Sequence, residues 1–131
     1  MAARICFDTC AAVYYANGTL ESDSLIDYTI YFPSVVRIEA FGYGSLNVSE
    51  ELSLEILLDK EYQLDLNDEI IDKAIMLRRK YACRLGDAII AATALVYDLE
   101  LWTANVKDFA AIAGLKLYNP LEGKWVQKDG D

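Results

Sequence analysis

The chain has 131 residues, 54% of them hydrophobic, with only 2 prolines and 7 glycines; this suits one compact domain and excludes a disordered or linker-rich protein. Its formal net charge of −9 opposes non-specific attachment to nucleic acid, because phosphate affinity comes from Lys and Arg contacts. There is no histidine, which excludes a His general base, a Ser-His-Asp triad and a His pair for 2′-hydroxyl attack.

Arg4 to Phe7 is a short apolar run that suits a buried strand ending at Asp8. Ala11 to Ala16 reads as helix, stopped by Asn17-Gly18. Ser24 to Tyr31 is ambiguous and runs into a short strand before Pro33. From Pro33 to Phe41 the chain reads as a helix with Ser34 near its N-cap, ended by Gly42 and Gly44. Ser49 to Lys60 carries Leu52, Ile56 and Leu57 at helical spacing, with Ser49, Glu50 and Glu51 suited to a helix start. Tyr62 to Leu66 alternates as a strand does. Asn67 to Tyr81 is another helix with Ile70, Ile71, Ala74, Ile75 and Leu77 inward, and Asp87 to Tyr97 is apolar enough to be the central, fully buried helix. Glu100 to Thr103 reads as a strand, Lys107 to Ala113 as a short helix broken at Gly114, and Leu115 to Tyr118 as a last strand before Asn119-Pro120. The polar tail from Glu122 reads as frayed. Strands alternating with helices imply an α/β fold with a central, mainly parallel sheet and helices on both faces, one domain over residues 1–131.

Four acids sit where elements meet: Asp8, Glu39, Asp87 and Asp108. Ligands of parallel sheets bind beyond the carboxyl ends of the strands, and Asp8 and Asn105 both lie just past one, while Asp87 would start the buried helix at the same edge. Each acid has a plainer explanation. Asp8 and Asp87 could be helix caps, Glu39 a solvated helix residue and Asp108 part of an opening turn. If the four converge, like charges about 4 Å apart repel by roughly 4 kcal/mol at an effective dielectric near 20, so either protons or a cation must compensate. Carboxylate oxygens suit Mg²⁺ or Mn²⁺.

Charge is uneven. Residues 1–65 hold three bases against eleven acids, and residues 66–131 nine against ten. The one concentrated basic patch is Arg78, Arg79 and Lys80 with Arg84, read either as a solvated helix end or as a phosphate contact. Cys6, Cys10 and Cys83 match neither a zinc site nor a disulfide framework and read as buried thiols. An acid at Asp8 precedes any signal-peptide apolar region, and the uncharged stretch from Ala88 to Tyr97 is about half a membrane span; the expectation is a cytoplasmic protein without a membrane segment.

Phe7-Asp8-Thr9, Glu39 on a helix after Pro33-Ser34, Gly86-Asp87 with Ala88 to Leu95, and Thr103-Ala-Asn105-Val-Lys-Asp108-Phe109 followed by Asn119-Pro120 occur in that order. The ordered set resembles the PIN domain of VapC-type toxin ribonucleases over nearly the whole chain. The resemblance implies a three-layer α/β/α sandwich and an Mg²⁺- or Mn²⁺-dependent endoribonuclease of a toxin–antitoxin pair. In that reading Asp8, Glu39, Asp87 and Asp108 are the catalytic, metal-holding acids, and Thr9, Thr103 and Asn105 support them. Arg78, Arg79, Lys80 and Arg84 are candidate RNA contacts. It further implies cleavage to 5′-phosphate and 3′-hydroxyl ends, an antitoxin whose extended segment blocks the site, and a homodimer. Asp108 fills a position that varies more in such proteins, and Gly86 stands where relatives commonly carry a bulkier residue. The competing reading is a non-catalytic module of the same fold that holds a protein partner in its acidic groove. A phospho-acceptor receiver and a haloacid-dehalogenase-like phosphatase fit poorly, because Thr9 and Cys10 stand where those enzymes carry further acids.

Overall fold

A computed structural model describes residues 3–126. Strand β1 (Ala3–Phe7) buries Ile5, Cys6 and Phe7 completely, and Asp8 then caps helix α1 (Thr9–Ala16). This helix stops at Asn17, followed by Gly18 with φ 82°, a left-handed turn that a Cβ would strain. Strand β2 (Tyr28–Pro33) leads into α2 (Ser34–Phe41), and α3 (Val48–Leu57) precedes the short β3 (Gln63–Leu64). Then come α4 (Asp68–Lys80), α5 (Leu85–Val96), β4 (Glu100–Trp102), α6 (Val106–Phe109), β5 (Leu117–Asn119) and β6 (Lys124–Trp125).

The strands form one sheet in the order β3-β2-β1-β4-β5-β6. All neighbours are parallel except β5 and β6. Chain direction through the sheet reverses after β3, so right-handed crossovers place α1, α2 and α3 over one face and α4, α5 and α6 over the other. This is the expected three-layer α/β/α sandwich. Its core runs through Ile5, Phe7, Phe32, Leu54, Ile90 and Leu101. Among the described residues no helix is long and apolar enough to cross a membrane.

Several boundaries differ from the sequence reading for local reasons. Helix α2 has Pro33 as N-cap and Ser34 as its first helical residue. Helix α3 starts earlier than Ser49, because Asn47 and Glu50 form a reciprocal capping box, and Lys60 belongs to a separate 3-10 turn, Lys60–Tyr62. In α4 only Ile70, Ala74 and Leu77 are buried; Ile71 and Ile75 face outward, 38% and 46% exposed, since one helix neighbour covers a single stripe. Helix α5 starts at Leu85, so Asp87 lies inside its first turn, and Leu85 itself is 59% exposed.

From Glu122, where the sequence predicts a frayed tail, the chain adds strand β6 to the sheet; residues 127–131 lie outside the described residues. The cause is an aromatic ladder. Phe7 meets Trp102 (6.3 Å between ring centroids), Trp102 meets Tyr118 (4.5 Å) and Tyr118 meets Trp125 (5.3 Å), each across paired strands.

Helix α4 is capped by Asn67, whose side chain accepts from the Ile70 amide at 2.9 Å. Asn67→Ala is expected to cost about 1 kcal/mol, read as a lower urea midpoint at unchanged slope.

Candidate functional site

The strand order reverses direction between β1 and β4, which opens a crevice at their carboxyl ends. Asp8 leaves β1 at that point, its amide donating to the Trp102 carbonyl at 3.3 Å. The side chain is 3% exposed, and its Oδ1 accepts from the Ala11 amide at 2.9 Å. Capping and a place in the crevice are therefore two roles of one carboxylate. The Cys10 thiol donates to both Asp8 oxygens, at 3.1 and 3.2 Å. Its sulfur accepts from the Ala104 amide at 3.3 Å, which ties α1 to the segment after β4. Thr103 is fully buried behind this contact, and its Oγ1 accepts from the Asn105 amide at 2.9 Å.

Glu39 reaches the crevice from α2. Thr9 donates its hydroxyl to Glu39 Oε1 at 2.5 Å. On the other side, a Cβ built on Gly86 would lie 2.7 Å from Glu39 Oε2. Asp87 enters from the first turn of α5 and Asp108 from α6. Asp8, Glu39, Asp87 and Asp108 all line one cavity of about 660 Å³, with Thr9 and Asn105 on its wall.

The electrostatics of this cavity are unbalanced. Burial pushes the Asp87 carboxyl up to about 6, and the charges of Asp108, Glu39 and Asp8 push the same way, against a smaller pull from Arg84. Asp8 is also raised, first by burial; the Thr103 hydroxyl, the Ala11 amide and the Cys10 thiol offset part of that, while Glu39 adds to it. Burial, then the Asp8 charge, lifts the Cys10 thiol to about 11. Cys10 is thus a protonated donor that holds Asp8, not a thiolate nucleophile.

The donor set is hard oxygen, the chemistry that suits Mg²⁺ or Mn²⁺. The carboxylates face one space without closing on a point: among the described residues no three acids or cysteines are grouped tightly enough to hold a metal ion. Of the four basic candidates only Arg84 lines the acidic cavity. Arg78 and Arg79 border a separate apolar groove with Leu66, Ile75 and Leu85, and Lys80 lies over the Tyr81 ring at 5.5 Å. These three sit in the last turn of α4, where the helix dipole favours cations.

Cys10, Glu50 and Gly86 line the cavity without being site candidates in the sequence. Cys10 was read only as a buried thiol, though it stands two positions after Asp8 on the helix that Asp8 caps. Glu50 was assigned to a helix start, which it is, and it also lines the cavity wall. Gly86 was noted as an oddity; its absent side chain is what admits Glu39.

The PIN domain family model matches residues 5–115. Among solved structures, the chain resembles one described as a toxin–antitoxin complex from Klebsiella pneumoniae, with 26% identity and a TM-score of 0.71 over 88% of this chain and 97% of that one. It also resembles a chain of VapBC2 from Rickettsia felis bound to a promoter DNA fragment, at 23% identity and a TM-score of 0.72, over 88% and 98%. A chain of VapBC-5 from Mycobacterium tuberculosis is similar at 22% identity and a TM-score of 0.67, over 88% and 97%. No curated protein matches the sequence significantly.

Proposed function

The chain belongs to the PIN domain family, and from that premise we propose that it is a metal-dependent endoribonuclease acting in the cytoplasm as the toxin of a toxin–antitoxin pair. The observation that carries this reading is the convergence of Asp8, Glu39, Asp87 and Asp108 on one cavity at the reversal of the sheet. Among the described residues Arg84 is the basic side chain that lines this cavity, and burial first, then the charges of Asp108, Glu39 and Asp8, raise the proton affinity of Asp87. A divalent cation, general to nucleases of this family, would draw its oxygen donors from these four acids, which would have to close on it from their present separation. When bound, Mg²⁺ or Mn²⁺ supplies an acidified water and offsets charge on the phosphodiester.

The chain's own residues prepare that site. The Ala11 amide and Cys10 thiol fix the Asp8 carboxylate, and Thr9 fixes Glu39. Thr103 braces the Cys10 segment from behind, and Asn105 offers an amide at the cavity rim. Arg84 is positioned to contact a phosphate, since among the described residues it is the basic side chain that lines the acidic cavity. Water attack would leave 5′-phosphate and 3′-hydroxyl ends.

Incubating the protein with structured RNA in Mg²⁺ or Mn²⁺ is expected to give cleavage that EDTA abolishes; cleavage that persists in EDTA overturns the metal mechanism. The splayed acids favour one second reading, a non-catalytic module that binds a basic partner segment in the same groove. Failure to cut any RNA, combined with tight binding of a neighbouring gene's product, would support that module. The similar structures that are toxin–antitoxin complexes support an antitoxin as partner. We also propose a homodimer, which sedimentation as a monomer at micromolar concentration would overturn.

A further inference from the structure

A second cavity, of about 540 Å³, adjoins the acidic one and shares Asn105 and Asp108 with it. Lys107, Lys124 and Trp125 line it, together with the acid Glu122. Trp125 is held in place. Its backbone pairs with Tyr118 in β5, and the Tyr118 ring packs edge-on against the indole at 5.3 Å and 68°. The residue nevertheless remains 55% exposed, so one end of the aromatic ladder is a fixed ring open to solvent. Among the described residues neither Lys107 nor Lys124 forms an ion pair. In a chain of net charge −9, Lys107 and Lys124 match the charges of Asp108 and Glu122 in this lining, so the space beside the open indole is locally balanced where the neighbouring cavity is acidic. Trp125 also lies beyond residues 5–115, the part that the family model matches.

We infer that this cavity is a nucleotide subsite, in which an unpaired base of single-stranded RNA stacks on Trp125 while Lys107 and Lys124 contact its flanking phosphates. Stacking on an aromatic platform tolerates any base and requires one that is free of a duplex. The shared wall of Asn105 and Asp108 then hands the adjoining phosphodiester to the acidic cavity. The inference rests on the ribonuclease reading above and adds to it a grip on unpaired RNA from outside the acid set.

The chain has 2 tryptophans, and Trp102 is buried, so quenching of indole fluorescence can report the contact. The titration uses the full chain carrying Asp87→Asn in Mg²⁺, which slows cleavage, and a fluorescently labelled single-stranded RNA of roughly a dozen nucleotides. Quenching is expected with Trp125 present and absent in Trp125→Phe, which still binds by anisotropy. Trp125→Ala is expected to weaken binding about 10-fold, within the range for losing one stacked base. Lys107→Gln and Lys124→Gln are each expected to reduce the slope of log affinity against log salt by about 1 or less. Unchanged affinity in Trp125→Ala, or quenching that survives Trp125→Phe, overturns the subsite. If the chain with Asp87 intact cuts the same RNA while Trp125→Ala binds normally, only the subsite fails. If no form binds or cuts RNA, the ribonuclease reading fails with it.

Discussion

Replacing Asp87 with Asn is expected to lower metal-supported RNA cleavage by on the order of 10³-fold, the scale seen when one preorganised charge-stabilising group is removed from an active site. The same change is expected to stabilise the cation-free protein at neutral pH. Asp87 ordinarily ionises near 3.8 and is pushed up to about 6 in the fold, by burial first and then by Asp108, Glu39 and Asp8. A folded pKa above the unfolded one means that the native state binds the proton more tightly. That contribution is fully present below about pH 3.8 and is lost as pH rises through about 6. Asn carries no charge and escapes the loss. Asp87 is only half-buried, so after allowance for solvent screening the difference is on the order of 1 kcal/mol. Melting curves without divalent ions, taken from about pH 4 to about pH 7, should show the wild type falling more steeply than the variant. Mg²⁺ should then raise the wild-type melting temperature more than that of the variant, because an ion that binds the native acids adds stability by mass action. A wild type as flat with pH as Asp87→Asn would mean that neither burial nor the neighbouring acids raise Asp87 in the fold. An undiminished cleavage rate in the variant would remove Asp87 from the mechanism.

The acids were legible in the sequence to different degrees, and the reason is where each backbone runs. Asp8 follows a buried strand and Asp87 sits in an apolar helix, so both stood out against their neighbours. Glu39 did not, because α2 is a short, half-exposed helix on which an acid is ordinary. Only the placement of α2 beside the start of α5 brings Glu39 to Gly86, and that is a tertiary fact. The alternation of strands and helices was enough for a parallel sheet in three layers. Composition from Glu122 onward is polar and gives no sign of a strand, whereas Lys124–Trp125 joins the sheet through the pairing of Trp125 with Tyr118. Ile71 and Ile75 were placed inward on helical spacing alone. Spacing defines a face but not its width, and α4 buries only the narrow stripe that meets its neighbours.

Gly86→Ala should separate stability from activity. Gly86 lies in the first turn of α5, where alanine is the better helix former by up to about 1 kcal/mol. The added Cβ would stand 2.7 Å from Glu39 Oε2, 3.3 Å from Glu39 Cδ and 3.5 Å from Oε1. No neighbouring backbone atom is among these contacts, so relief comes from moving a flexible carboxylate and costs the fold little. The carboxylate is not free to move without consequence, since its Oε1 is held by the Thr9 hydroxyl. A displacement approaching 1 Å at an acid of the site is expected to cost about 10²-fold in cleavage. The variant should therefore melt at or above the wild-type temperature while losing most of its activity. Glu39→Asp withdraws the carboxylate by one methylene and should remove the clash. Combining the two substitutions should thus give a rate no lower than Glu39→Asp alone, a strong positive coupling between residues in contact. Wild-type cleavage by Gly86→Ala would show that Glu39 need not stay where Thr9 and Gly86 hold it. Strictly additive losses in the double variant would show that the added methyl acts through something other than Glu39.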